Sequence, residues 1–386
     1  MHPSSSPLIA IIAGEQSGDM LGAGLLASLR EHYPQMRLIG VGGPRMAEQG
    51  LQSLFPIERL SVMGITEVLG RLPELFRLRS YLLGNLLAAK PDICITIDSP
   101  DFTLPIAGKL HAAGIKTCHY VSPSVWAWRQ GRVKKIKRDI DLMLTLLPFE
   151  ADFYRQHQVP VAFVGHPLAD SLPLEPDTAG ARTVLGLAQH KPVLTLLPGS
   201  RGGEVKQLLA TFFAAAQQVR EKIPDLQVVI PAATPERSKQ ICRFLEQQPA
   251  EQRACIRLLQ GQSHEAMTAA DVVLLASGTA SLEAMLLKKP TVVGYRVGLI
   301  SYWIIKSLAT TQYVALPNIL AGNEELVPEW IQHQMTADNL ARSVLHWFTD
   351  EQQRHSLVKR FADIHQQLKQ NGNATAAKAV AALLAR

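Results

Sequence analysis

Short, almost continuous apolar runs alternate along this chain with longer stretches of helical period. In the first half the runs are Leu8–Ala13, Arg37–Val41, Ile93–Ile97, Lys116–Val121, Leu142–Leu146 and Val161–Val164. Amphipathic segments separate them: Asp19–Glu31, Thr66–Ala89, Leu104–Ala112, Arg129–Arg138 and Pro148–His157. A strand covered on both faces needs no polar alternation, so the pattern predicts a parallel sheet with helices on either side. Residues 167–181, rich in Pro and in small or acidic residues, interrupt it and read as a linker. Alternation resumes with strands at Val193–Leu197, Gln227–Ile230, Ile256–Leu259, Val272–Ala276 and Thr291–Val293. The helices between them are Gly203–Lys222, Pro235–Gln248, His264–Ala269 and Thr279–Leu287, and from Thr336 onward the chain reads as helix. The expected fold class is α/β, with two Rossmann-like doubly wound domains facing a cleft. They span residues 1–170 and 180–335. A helical tail over 336–386 packs on the first domain or on a partner subunit.

Composition narrows the partners only slightly. With 386 residues, 47% hydrophobic and 19% charged, the chain is no disordered polymer. Lys and Arg number 39 against 33 Asp and Glu, a net charge of +6, which favours anionic partners without choosing among phosphates, nucleotides, acidic lipid and nucleic acid. The Leu8–Ala13 run lacks the basic flank and length of a secretory signal, and no apolar stretch reaches the ~18 residues of a membrane span. Cys94, Cys118, Cys242 and Cys255 form no CxxC pair and read as reduced thiols of a cytosolic protein. No nucleic-acid-binding module is recognisable, so nucleic acid is not an expected partner.

In doubly wound folds ligands bind outside the carboxyl ends of the strands, so the strand-to-helix turns carry the candidate chemistry. The first is Ala13-Gly14-Glu15-Gln16-Ser17-Gly18-Asp19. Its glycines let a ligand approach backbone N–H groups at a helix start, but the spacing is not GxGxxG, which disfavours a dinucleotide. The plain alternative is a tight turn capped by Ser17 or Asp19. Gly40-Val41-Gly42-Gly43-Pro44 is a second such turn. Ile93–Ile97 runs into Asp98-Ser99-Pro100-Asp101-Phe102. Desolvation at a strand end would make Asp98 a better proton acceptor, while Asp101 suits a helix cap.

The stretch Tyr120–Arg129 places Trp126 and Trp128 as an aromatic wall ahead of the basic series Arg129, Arg132, Lys134, Lys135, Lys137 and Arg138. That series grips phosphate or an anionic membrane, or is simply a solvated face. The DxD triplet Asp139-Ile140-Asp141 begins a strand instead of ending one, so no metal is expected there. In the second half, Pro198-Gly199-Ser200-Arg201-Gly202-Gly203 exposes N–H groups beside one guanidinium fork. Ser277, Gly278, Thr279 and Ala280 open a helix in a way that suits a diphosphate. Glu283, one turn inside, can accept hydrogen bonds from vicinal ribose hydroxyls. Two anion-ready turns in one domain suggest a nucleoside diphosphate. GxxxxGK[ST], HExxH and GxSxG are absent, and His264-Glu265 lacks a second His. Two segments, Thr66–Ala89 and Val297–Leu308, combine apolar faces with flanking Arg or Lys, as core helices or as surfaces that dock on lipid.

Taken together, Ala13–Asp19, Val62-Met63-Gly64-Ile65, Asp98–Phe102, His119–Arg129, Leu197–Arg201 and Leu316-Pro317-Asn318 resemble the bacterial lipid-A-disaccharide synthases, from near residue 8 to at least residue 325. The resemblance implies a GT-B glycosyltransferase without metal or other cofactor. Its substrates would be UDP-2,3-diacylglucosamine and 2,3-diacylglucosamine 1-phosphate (lipid X), and its products lipid A disaccharide 1-phosphate and UDP. It also implies a cytoplasmic enzyme resting peripherally on the inner membrane, with a homodimer through the C-terminal helices. On this reading Asp98 is the base and Arg201 catalytic as well as UDP-binding. Ser200, Ser277, Gly278, Thr279, Ala280 and Glu283 bind UDP, and Glu15, Ser17, Gly18 and Asn318 lie at the sugar or phosphate end. Two alternatives stay open: another UDP-sugar protein of this fold, such as a UDP-N-acetylglucosamine 2-epimerase, and a non-catalytic UDP-sugar or lipid binder.

Overall fold

The computed structural model describes residues 6–60, 65–127, 130–296 and 312–386, and its apolar runs become two sheets of six strands. The first contains β1 (Leu8–Ala13), β2 (Arg37–Val41), β3 (Ile93–Ile97), β4 (Lys116–Tyr120), β5 (Leu142–Thr145) and β6 (Val161–Phe163), in the order β2-β1-β3-β4-β5-β6. The second contains β7 (Val193–Leu197), β8 (Gln227–Ala232), β9 (Ile256–Gln260), β10 (Val272–Leu275), β11 (Thr291–Tyr295) and β12 (Glu329–Ile331), in the order β12-β11-β10-β7-β8-β9. Neighbouring strands are parallel throughout. Val62, Met63, Gly64, Trp128, Arg129 and the segment Val297–Leu308 lie outside the described residues.

Residues along β1 alternate between two cores. Ile9, Ile11 and Ala13 pack with Leu21, Leu25 and Leu29 of the Gln16–His32 helix and with Ala376, Ala377 and Val380 of the Gly372–Leu384 helix. Ala10 and Ile12 face the other way, onto Leu78, Leu82 and Leu86 of the Ile65–Ala89 helix and Ile106 and Leu110 of the Pro100–Ala112 helix. That two-faced burial is why the strands read as unbroken apolar runs. β12 has no such signature: three half-buried residues, one of them Glu329, form an edge strand.

The chain divides into two compact units, Met1–Asp170 with Leu368–Arg386, and Ser171–Gln367. The proline-rich segment at 167–181 begins with one short helix, Pro167–Ser171, and runs into a second, Thr178–Val184. Asp177 caps the second by accepting from the Gly180 N–H at 2.8 Å. The helices beyond Thr336 form no unit of their own. Ala337–Thr349 belongs to the second unit and Gly372–Leu384 to the first, where the Asp170 carboxylate accepts from the Asn371 and Gly372 N–H groups at the start of that last helix.

Candidate active site

In the first sheet the chain leaves β1 toward β2 on one side and then adds β3 on the other. The order reverses between β1 and β3. In the second sheet it reverses between β7 and β10. Crevices at such switch points are where doubly wound folds bind ligands. Four of the turns singled out in the sequence follow these four strands, pairing Gly14–Gly18 with Asp98–Pro100 and Gly199–Gly203 with Ser277–Ala280.

At the β1/β3 point the two turns interlock. A Cβ on Gly14 would lie 2.1 Å from Ser99 Oγ, so only glycine lets the β3 turn settle there. Asp98 and Ser99 both take the left-handed conformation, with φ of +56° and +44°. For residues carrying a Cβ this costs about 1–2 kcal/mol each. Local bonds hold the strain: the Asp98 N–H donates to the Tyr120 carbonyl at 3.0 Å, the Ser99 N–H to Asp98 Oδ1 at 2.9 Å, and Thr103 Oγ1 to the Asp98 carbonyl at 2.8 Å. The turn holds the half-buried Asp98 at the strand end, with Pro100 in the first helical turn.

Glu15 precedes the Gln16–His32 helix, and partial burial, aided by repulsion from Asp98, raises its pKa. It therefore keeps its proton to a higher pH than an ordinary glutamate. Ser17 is exposed at the helix start. Gly18 is buried, and a Cβ there would lie 3.2 Å from that of Ala13, so it serves close packing of helix on strand. Neither Ser17 nor Asp19 caps this helix. The Asp19 carboxylate instead accepts from the N–H groups of Gly43, Arg45 and Met46 at 2.8, 3.0 and 3.1 Å, tying down the Gly-rich turn after β2. Asp101 is likewise no cap; it lies inside the helix and pairs with Arg132 at 2.5 Å. In the DxD triplet, Asp139 is buried beside Arg138 and Asp141 accepts from the Thr117 N–H at 2.7 Å. Among the described residues no group of three His, Cys, Asp or Glu is placed to hold a metal ion.

An apolar groove of about 410 Å³ runs beside this turn, between Ser99, Asp101 and Phe102 on one side and Leu72, Leu75 and Phe76 of the Ile65–Ala89 helix on the other. Arg79 lines it too and lies 4.8 Å from the centre of the Phe76 ring. Phe76 and Tyr81 are more than half exposed, at 52% and 53%. Among the described residues no helix is long and apolar enough to cross a membrane.

At the β7/β10 point, Ser200, Arg201, Ser277, Gly278, Thr279 and Ala280 line one cavity of about 440 Å³. Gly199 has φ of +114°, and a Cβ there would sit 2.6 Å from Glu204. Glu204 occupies that space and accepts from the Ser200 and Arg201 N–H groups, both at 3.2 Å, and from Arg201 Nη1 at 3.3 Å. The guanidinium is otherwise presented to solvent, with 74% of the side chain exposed. Gly278, at φ +141°, precedes the Thr279–Leu286 helix, whose start has no side-chain cap. Ser277 Oγ donates to the Val314 carbonyl at 3.3 Å.

Glu283 stands one turn along this helix, where burial raises its pKa and a 3.4 Å contact with His264 Nδ1 offsets part of the rise. Sequence reasoning passed over His264 as half a metal motif. Its usable signal was its place at the start of another strand-to-helix turn. Tyr295, at the end of β11, was also missed; burial and the nearby Glu204 raise its pKa. Asn318 does not suit a sugar or phosphate contact. Its Nδ2 donates to the Val327 carbonyl and Glu329 Oε1, and its Oδ1 accepts from the Leu326 and Val327 N–H groups. The amide's donors and lone pairs are spent on closing its own loop. Trp126 is no open wall either. Its ring sits edge-on to Phe149 at 4.7 Å and its Nε1 donates to Glu150 at 3.1 Å.

Two doubly wound units, each with its candidate turns at the switch point, define a protein of the GT-B fold. Solved structures of that shape include the UDP-GlcNAc 2-epimerase of Neisseria meningitidis bound to UDP-GlcNAc, at 13% identity and a TM-score of 0.62, covering 98% of this chain and 99% of that one. The calicheamicin glycosyltransferase CalG4 is another, at 16% identity and a TM-score of 0.60, covering 99% of both chains. Sequence comparison is more specific. The family model described as Lipid-A-disaccharide synthetase matches residues 9–383. The lipid-A-disaccharide synthase of Alcanivorax borkumensis is 56% identical over 379 residues, 98% of each chain. The chain belongs to the lipid-A-disaccharide synthetase family and is a glycosyltransferase.

Proposed function

We propose that the chain is an inverting transferase that joins UDP-2,3-diacylglucosamine to lipid X, giving lipid A disaccharide 1-phosphate and UDP. The observation that carries this reading is that one unit holds a strained carboxylate turn, at β1/β3, and the other a cationic, N–H-rich turn, at β7/β10. Asp98 takes the proton of the acceptor 6-hydroxyl as that oxygen attacks the anomeric carbon, and the bond to UDP breaks on the opposite face with its electron pair leaving on the diphosphate. Arg201 and the N–H groups at Thr279 and Ala280 stabilise the charge that develops there. Ser200, Ser277 and Gly278 shape the same cavity, and Glu283 accepts from the ribose hydroxyls. Glu15, Ser17 and Gly18 border the acceptor side. The Leu72–Phe76 groove takes an acyl chain, and the exposed Phe76 and Tyr81 beside Arg79 seat the protein on the acidic face of the inner membrane. A homodimer formed by exchanging the Gly372–Leu384 helix would reuse the contacts this helix makes in its own unit.

Purified protein given UDP-diacylglucosamine with and without lipid X tests the reading. UDP and disaccharide should appear together, and only with both substrates. UDP release without an acceptor product, epimerisation of the sugar, or binding without turnover would each overturn it.

A further inference from the structure

The Tyr120–Ala127 stretch is anchored by a buried carboxylate. Glu150 lies in the first turn of the Pro148–Gln156 helix and is 5% exposed. Its partners are dipoles: Trp126 Nε1 donates to Oε1 at 3.1 Å and the Leu147 N–H to Oε2 at 3.2 Å, while the nearby Ser122 hydroxyl donates to the Pro123 carbonyl at 2.9 Å. Ser122 Oγ also meets the buried Tyr154 hydroxyl at 3.1 Å. Burial pushes the Glu150 carboxyl up to about 7 against the pull of these donors. Removing the carboxyl would leave the Trp126 and Leu147 N–H groups without their acceptor. What the carboxyl secures is the course of the chain leaving β4.

That chain begins with Val121, a β-branched residue at φ +74°. Val121 stands beside Asp98 and Ser99, so three left-handed non-glycine residues cluster at the ends of the adjacent strands β3 and β4. The Asp98 N–H donates to the carbonyl of Tyr120, the residue before Val121, and the Val121 N–H donates to Leu144 at 3.1 Å. Backbones in this region persist only where their surroundings over-determine them.

We propose that Glu150 is a positioning residue for Asp98: by gripping Trp126 it fixes the left-handed turn at Val121 and, through the Tyr120 carbonyl, the turn that aims the Asp98 carboxyl. The role rests on the reading of Asp98 as the base. Two variants test it. Trp126→Phe keeps a ring against Phe149 and removes the N–H donor; Glu150→Gln keeps the shape and removes the charge. Each should lower kcat about tenfold while the KM for acceptor and the affinity for UDP stay within about twofold. The double variant should be no slower than the slower single one, because Trp126→Phe removes the bond that Glu150→Gln weakens. Unchanged kcat in both folded variants, or losses that multiply in the double, overturns the role. If Glu150→Gln fails to fold, Trp126→Phe alone decides. A wild-type chain that forms no disaccharide overturns the proposed function, whereas an active wild type with equally fast variants overturns only the positioning role.

Discussion

The two switch points share a topology and differ in chemistry. At β1/β3 the turns are interlocked, strained and acidic, with Gly14 wedged against Ser99 and two carboxyl groups, Glu15 and Asp98, close enough for one to raise the other's pKa. At β7/β10 the turns are open, rich in N–H groups and cationic, and the Glu204 carboxylate is spent on the turn itself. One scaffold has thus been given opposite charges at the same topological address. A proton acceptor needs an anion held rigidly, and a leaving diphosphate needs donors that are already oriented.

The strongest way to break this contrast is at Asp98. Asp98→Ala should cut turnover by about 10²–10⁴-fold while UDP titrations give an unchanged affinity; an equal loss of UDP binding would remove the division of labour. Arg201→Ala should weaken UDP binding about tenfold or more and slow transfer as well. An unaltered UDP isotherm would contradict its role. The glycines sharpen the comparison further. Gly14→Ala drives a methyl into Ser99 and should lower kcat about tenfold with UDP affinity kept. Gly278→Ala, at φ +141°, should do the reverse, costing about tenfold in UDP affinity. Both variants failing in the same step would mean that the turns do not act separately.

The smallest effect expected is on stability. Burial holds His119 and His166 of the first unit down to about 4, below their ordinary 6.5, so the folded state binds fewer protons than the unfolded one between those values. Stability that is complete above pH 6.5 is lost as the pH falls toward 4. Glu150, raised to about 7 from 4.5, opposes this in part, because its contribution declines as the pH rises across that range. In the second unit the buried Lys289 is pushed down to about 8, so stability there grows as the pH rises from 8 toward its ordinary 10.5. Hydrogen exchange at pH 5 and pH 7 should therefore show protection falling more in β1–β6 than in β7–β12; equal losses would refute the asymmetry.

Much of this was legible in the chain because parallel strands buried on both faces announce themselves as apolar runs, and small residues after them mark the turns. Ile93–Ile97 followed by Asp98, and Val193–Leu197 followed by Gly199 and Arg201, needed no other signal. The failures share a cause. Asn318 looked available until Glu329 and the Val327 backbone claimed it, and Trp126 looked like a wall until Glu150 did. Asp19 reads as a cap for its own helix but serves the turn after β2, and β12 carries too little apolar character to be seen. In each case the deciding partner is remote in sequence, or the element is stabilised only by a neighbour already in place.

The return of the Gly372–Leu384 helix to the first unit has a consequence for how that unit is made. Its core is written in two pieces separated by the whole of the second unit, so on the ribosome β1–β6 must wait with one apolar face unfinished while β7–β12 are synthesised. Ala376, Ala377 and Val380 then arrive as a late closing piece. A circular permutant that places Leu368–Arg386 ahead of β1 would make the first unit continuous and remove the wait.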